Sequence, residues 1–195
     1  MREALPMTSA TIRRLDAAGA VAAIQQLAEL LIDCVEGGAS VSFMPPMTME
    51  KATHFWQVAA DGVARGERVL LVAEDEDTRV VGTVQLVLAM PENQPHRADL
   101  AKMLVHRRAR RKGVAERLLQ AAESAARDEQ RTLVVLDAVT GGDAARLYAR
   151  NGWQRVGDIP NFALMPDGSF CSTTYFYKAI APHTRGLELR AAKHA

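Results

Sequence analysis

The chain has 195 residues, nearly half of them hydrophobic, with 24 Lys and Arg against 23 Asp and Glu, a net charge of +1. That length favours a single domain with an adequate core, and the balanced charge offers no whole-chain field for nucleic acid or an anionic membrane. The two cysteines, Cys34 and Cys171, form neither a CxxC pair nor a disulfide framework. No stretch nears the roughly 18 apolar residues of a membrane span, and none opens the sequence as a signal peptide would. A cytoplasmic protein is the expectation.

Residues 1–9 read as a lead-in and 11–16 as a short strand. Val21, Ile24, Leu27, Ala28, Leu31 and Val35 recur at helical spacing, so one helix is predicted over 20–35, stopped by Gly37 and Gly38. After a loop over 37–47, Thr48 caps a second helix with Met49, Ala52, Phe55, Trp56, Ala59 and Val63 on one side. The period then changes. Residues 69–73 and 80–90 read as a hairpin closed by the polar turn 75–79, and 100–105 as the next strand. A helix over 113–127, an apolar strand over 132–139 and a short helix over 143–150 follow. Two last strands, 153–156 and 173–180, are joined by a loop holding Pro160, Pro166 and Gly168. The order predicts an α/β fold with a mixed sheet and helices on both faces, one domain over 10–180, and an appended tail from 181 to 195.

The segment 103–115, Met-Leu-Val-His-Arg-Arg-Ala-Arg-Arg-Lys-Gly-Val-Ala, carries the clearest chemistry. An apolar strand runs into a basic turn, and a glycine opens an amphipathic helix. A helix N-terminus presents unpaired N–H groups and the positive end of its dipole, a ready anion site. Gly113 lets backbone approach an anion closely, and the small Ala115 does the same further in. Arg110, Arg111 and Lys112 add positive charge. A basic run can equally be a solvated face or a nucleic-acid patch. Its place at a strand-to-helix junction, without neighbouring aromatic platforms, favours a pyrophosphate cradle and no nucleic-acid partner.

Arg110-x-x-Gly113-x-Ala115 resembles the Q/R-x-x-G-x-G/A signature of the GNAT acetyltransferases, and the element order from 11 to 180 is similar to theirs. Within that superfamily, Gly37-Gly38-Ala39-Ser40-Val41, Arg97-Ala98-Asp99, Lys102-Met103-Leu104-Val105, Pro166-Asp167-Gly168, and Tyr148 followed by Arg155-Val156-Gly157 look like the tabtoxin-resistance acetyltransferases. The resemblance implies a mixed, mostly antiparallel sheet of about seven strands, splayed between the fourth and fifth. It also implies acetyl-CoA as co-substrate in that gap. Pantetheine would pair with the backbone of Met103, Leu104 and Val105. Pyrophosphate would rest on the N–H groups of Arg111, Lys112, Gly113, Val114 and Ala115, beside Arg110.

An alkylamine acceptor is mostly protonated at neutral pH and must lose a proton before it attacks a thioester. A carboxylate is the natural base. Asp137 interrupts an apolar strand, where a buried unpaired carboxylate would be costly. Asp99 precedes the cradle strand, on the same alternating side as Ala101 and Met103. Both match acidic positions of the tabtoxin-resistance group. Tyr148 matches the superfamily tyrosine that protonates the leaving thiolate. Ser40, Phe43 and Gln85, which breaks the apolar run of 80–90, are the candidates for the acceptor wall. The five histidines show no HExxH spacing, so no metal is expected. The expected partner is a small amine, amino-acid-like or toxin- or antibiotic-like, acted on by a monomer or homodimer. A peptide or protein N-acetyltransferase and a non-catalytic acyl-CoA-binding module stay open as alternatives.

Overall fold

The structure is a computed structural model and describes residues 10–181; the lead-in 1–9 and the tail from 182 onward lie outside the described residues. Its elements are β1 (Thr11–Leu15), α1 (Ala17–Ala22), α2 (Ile24–Glu36), α3 (Met49–Ala64), β2 (Arg68–Glu74), β3 (Val80–Val87) and β4 (Arg97–Val105). A 3-10 turn (Arg107–Ala109), α4 (Val114–Asp128), β5 (Leu133–Val139), α5 (Asp143–Arg150), β6 (Gln154–Leu164) and β7 (Phe170–Ala179) complete them.

The seven strands form one sheet in the order β1-β2-β3-β4-β5-β7-β6. Every pairing is antiparallel except β4 with β5. That parallel pair is held over three register positions only, Arg97↔Leu133, Ala98↔Val134 and Asp99↔Val135. Beyond Asp99 the two strands part, and the expected splay between the fourth and fifth strands is present.

Each face of the sheet has its own core. On one, Val69, Leu71, Ala73, Val84 and Leu86 pack with Val114, Leu118, Leu119 and Ala122 of α4, and the cluster runs on to Tyr148, Trp153 and Phe176. On the other, Leu70, Val72 and Leu104 pack with Leu27, Leu31, Ala52 and Trp56 from α2 and α3. The β2 residues alternate strictly between the two, as a doubly covered strand must.

Three differences from the sequence reading have identifiable causes. The first helix starts earlier, because Asp16 caps α1 by accepting from the Gly19 N–H at 2.7 Å, and it is interrupted at Ala23. Ala20, Ile24 and Leu27 still share one core, so the apolar face is the one the spacing predicts. β6 runs on past Val156 to Leu164, through Pro160. It is the outermost strand, and Pro160 falls in the register shift between Ile159 and Ala163, so its missing N–H breaks no ladder bond. Finally, β4 begins at Arg97 and carries a bulge: Thr83 pairs with Leu104 but Gln85 pairs with Ala101, so β4 has one residue too many there. The bulge reverses the alternation. Ala98 and Leu100 pack towards α4, whereas Leu104 packs towards α2 and α3, and Met103 packs on the α4 side. Asp99 and Met103 therefore lie on opposite faces, correcting the expectation that they share one.

Candidate active site

The cleft opens where β4 and β5 part. Three adjoining cavities run through it. One of about 210 Å³ lies at the α4 end, lined by Met103, Leu104, Val105, Arg110, Ala115, Ala144 and Leu147 among others. A central one of about 440 Å³ includes Ser40, Lys102, Met103, Arg110, Asp137, Asp143 and Tyr148. A third of about 340 Å³ includes Ser40, Phe43, Asp137, Phe162, Leu164 and Thr173. Met103 and Arg110 border the first two; Ser40 and Asp137 border the last two.

The α4 end is built from the basic segment. Gly113 sits at φ +75° as the N-cap of α4, and no side chain caps that terminus. The N–H groups of the first turn are therefore available to an anion. A Cβ at Gly113 would meet nothing within 4 Å, so the glycine serves the left-handed backbone conformation and an open approach, not a tight internal contact. The first turn of α4 lies close on β3 because Gly82 has no side chain: a Cβ there would stand 3.0–3.1 Å from Leu118, Val114 and the Leu104 carbonyl. Arg110 folds back, donates from Nε to the Val105 carbonyl at 3.3 Å and borders two of the three cavities. Arg111, at φ +61°, and Lys112 are exposed and border none of the three cavities. Val114 is a core side chain, so only its backbone can face a ligand.

Asp137 stands two residues beyond the last β4–β5 pair and is exposed to the cleft. The cost of burying a charge, which singled it out in the sequence, is therefore not what the structure imposes; the strand opens there instead. Its Oδ2 accepts a hydrogen bond from the Thr173 hydroxyl at 2.8 Å. Tyr148 is 3% exposed. Its ring packs on Trp153 and Phe176, with centroids 5.7 and 5.9 Å away, and it borders the central cavity. Burial, with the Asp137 carboxylate adding to it, raises the phenol well above its ordinary pKa, so it is protonated at neutral pH.

The other site candidates divide. Ser40 borders the two larger cavities, and its hydroxyl donates to the Leu164 carbonyl at 3.2 Å. Phe43 borders the third cavity, edge-on to Phe55 with centroids 5.1 Å apart. Asp99 borders none of the three; its carboxylate is ion-paired with Arg97 at 2.5 Å. Burial pushes that carboxyl up, against the pull of Arg97. Gln85 also borders none. It is fully buried and accepts from Arg68 at 2.8 Å, which corrects its placement in the acceptor wall.

Several cleft residues were not named as site candidates from the sequence: Lys102, Ser42, Asp143, Ala144, Thr173 and the β6 residues Phe162 and Leu164. Lys102 had a usable signal, a charge inside an apolar strand. Thr173 and Phe162 had none, because their place depends on how the last hairpin folds back. Among the described residues no three His, Cys, Asp or Glu side chains group as a metal site, and no helix is long and apolar enough to cross a membrane.

Residues 66–155 match the family model described as acetyltransferase (GNAT) domain. Solved structures similar to the chain include an N-acetyltransferase from Staphylococcus aureus Mu50 (16% identity, 89% of this chain and 99% of that one, TM-score 0.72). A ribosomal-protein-alanine N-acetyltransferase from Brucella melitensis is similar at 22% identity over 87% of this chain and 99% of that one, with TM-score 0.71. So is yncA, a putative acetyltransferase from Salmonella typhimurium with its cofactor acetyl-CoA, at 18% identity over 90% and 96%, with TM-score 0.71. At these identities the likeness is one of fold, and the family model speaks for residues 66–155. Residues 66–155 thus match the GNAT acetyltransferase domain, and the splayed seven-stranded sheet that contains them has the fold of these acetyltransferase structures.

Proposed function

We propose that the protein is an acetyl-CoA-dependent N-acetyltransferase that acetylates the primary amine of a small amino-acid-like or toxin- or antibiotic-like molecule. The observation that carries this reading is the continuous cleft. It runs from the uncapped N-terminus of α4, past Tyr148, to Asp137 and the loop after α2. The donor end fits acetyl-CoA: first-turn N–H groups and Arg110 suit a pyrophosphate, and the β4 edge at Met103, Leu104 and Val105 is freed from β5 to pair with an extended pantetheine arm.

The chain's own groups divide the chemistry. Asp137 accepts a proton from the ammonium of the acceptor, directly or through one water, freeing the lone pair for attack. A carbon–nitrogen bond forms and the carbon–sulfur bond breaks. Tyr148, which its raised pKa keeps in the acid form, gives its proton to the departing thiolate. The second proton of the newly bonded nitrogen returns to the phenolate as the amide forms, so that Tyr148 ends protonated and Asp137 releases its proton to water. The small-acceptor reading is supported over a peptide substrate by the Ser40–Leu164 hydrogen bond. It ties the loop after α2 to the β6–β7 hairpin across the acceptor end, where a peptide would need an open groove. The same reading places the reaction in the cytoplasm, on a monomer or homodimer, and includes modification of a toxin among its uses.

The test is thiol release from acetyl-CoA with purified protein against amino acids, amine antibiotics, β-lactam toxins and peptides. Turnover of small amines is expected. Turnover confined to peptides would favour the protein-acetylating alternative, and acetyl-CoA binding with no turnover of any amine would favour a non-catalytic module.

A further inference from the structure

Lys102 has no part in the chemistry above, yet it borders the central cavity together with Asp137. It sits in the β4 bulge at φ +52°, a left-handed conformation that a long side chain rarely adopts. Its ammonium donates to the Ser42 hydroxyl at 3.1 Å and lies 5.7 and 5.8 Å from the ring centroids of Phe43 and Phe55. Lys51 approaches the same Phe43 ring at 5.8 Å. Among the described residues no carboxylate comes within ion-pair distance of Lys102; its contacts are a neutral hydroxyl and two rings.

A lysine kept only for structure is usually solvated or paired. This one is half-buried, and burial depresses its pKa, with the field of Asp137 opposing and that of Arg68 adding. The cation is thus partly desolvated and unpaired, so an anion delivered to the cavity gains more from it than from a lysine in water. Asp137 is the group that faces an amine in the same cavity. The two charges border one cavity without forming an ion pair, and one molecule bearing both complementary groups would engage them together.

We propose that Lys102, aimed by the β4 bulge and steadied by Ser42, Phe43 and Phe55, binds a carboxylate of the acceptor, so that the acceptor carries a primary amine and a carboxylate in one small molecule. The inference rests on the acetyl-transfer reading and adds the group recognised and the residue that recognises it. Ser42 shares the carboxylate as a neutral donor, and the two rings set the depth to which it enters. Specificity of this kind is strong, because an uncharged analogue leaves the partly desolvated cation unanswered.

The experiment uses the full chain and thiol release from acetyl-CoA, with amino acids paired against their own carboxamides. For the native protein kcat/KM should favour the acid over its carboxamide by at least about tenfold. In Lys102→Met, which keeps an unbranched apolar stem against Phe43 and Phe55, that ratio should fall to within about twofold. The loss should appear in KM for the acceptor, with KM for acetyl-CoA unchanged. Lys102→Arg should retain part of the preference. Equal or better use of the carboxamide by the native protein, or an undiminished ratio in Lys102→Met, overturns the proposal while leaving acetyl transfer standing. Failure of every amine, with or without a carboxylate, overturns the acetyl-transfer reading itself and this inference with it. The native ratio decides the matter even if a variant does not fold.

Discussion

The Thr173 hydroxyl donates to Asp137 Oδ2 at 2.8 Å and lies 3.0 Å from the Ala138 carbonyl, so β7 fixes the orientation of the one carboxylate, among the described residues, that borders both of the larger cleft cavities. The bond joins the two strands just where β5 has left β4. An oriented base is worth more than a mobile one, since proton transfer requires hydrogen-bond reach. Asp137→Asn should lower kcat by about 10²- to 10⁴-fold at unchanged KM for acetyl-CoA. Thr173→Val should lower it by roughly three- to tenfold, the share of one orienting hydrogen bond. Asp99→Asn, whose carboxylate is engaged by Arg97 outside the cavities, should cost less than about tenfold by the same measure. A larger loss at Asp99 than at Asp137 in steady-state kinetics would reverse the assignment of the base.

Tyr148 yields a prediction in two parts. Its acid form is the useful one, and its pKa is raised above the ordinary 10.0 by burial and then by Asp137. The protonated range therefore extends upward, and Tyr148→Phe should reduce kcat by one near-constant factor, about 10²-fold, throughout roughly pH 7–10. A factor that shrinks towards the top of that range would show the native phenol ionising at its ordinary pKa, against this geometry. For stability, the folded phenol stays protonated while that of the unfolded chain begins to ionise near 10. The contribution is present below that pH and lost as pH climbs through the folded value. Alkaline unfolding of Tyr148→Phe should accordingly be less steep than that of the native chain.

The parts of this site that the sequence discloses are the contiguous ones. Residues 103–115 hold strand, turn, glycine and helix in one run, so the place of Gly113 at the start of α4 can be read without knowing the fold. Asp137 is visible as a single departure from its surroundings, and Tyr148 only through its match to the superfamily tyrosine; the reason given for Asp137, the cost of burial, is replaced by a strand that opens to the cleft. The β4 bulge is hidden, since one extra residue leaves composition unchanged while reversing which face every later side chain takes. Gln85 shows the limit of polarity as a signal. A polar residue in an apolar strand marks either a cleft or a buried partner, here Arg68, and only the neighbouring strand tells which. Ser40 and Leu164 lie 124 positions apart, and a contact at that range has no local signature.

Gly113 separates two effects that usually travel together. At φ +75°, with open space where an added methyl would stand, an alanine is penalised only in backbone conformation, about 1 kcal/mol of stability from the left-handed region. If pyrophosphate rests on the N–H groups beside it, Gly113→Ala should also raise KM for acetyl-CoA by about tenfold, because the methyl occupies the close-approach point. Gly113→Asn tolerates the left-handed region better, so it should lose less stability while raising KM at least as much. Thermal melts and donor KM values measured on both variants provide the check. Donor KM within about twofold of native for both would remove the α4 N-terminus from the donor site.

A last prediction concerns the junction that holds α4, α5 and β7 in register behind the cleft. Lys178 Nζ donates to both oxygens of Glu123 at 2.7 Å and to the Asn151 carbonyl at 2.9 Å, while Trp153 Nε1 donates to Glu123 at 2.9 Å. The Glu123 side chain is 11% exposed and that of Lys178 25%. Removing the carboxylate leaves a partly buried ammonium and an indole N–H without an acceptor, the asymmetric case in which a lost partner costs more than the pair contributes. Glu123→Ala should therefore destabilise by on the order of 2–4 kcal/mol, read as a lower denaturant midpoint. Lys178→Met combined with Glu123→Met should recover much of that, since the unanswered charge is gone and the volume is filled. Trp153 packs on Tyr148, so the single variant should also lower kcat, whereas the double variant, with its junction refilled, should restore kcat as well as stability. Restored stability with kcat still low would show that Glu123 positions Tyr148 through Trp153 and does not merely hold the fold.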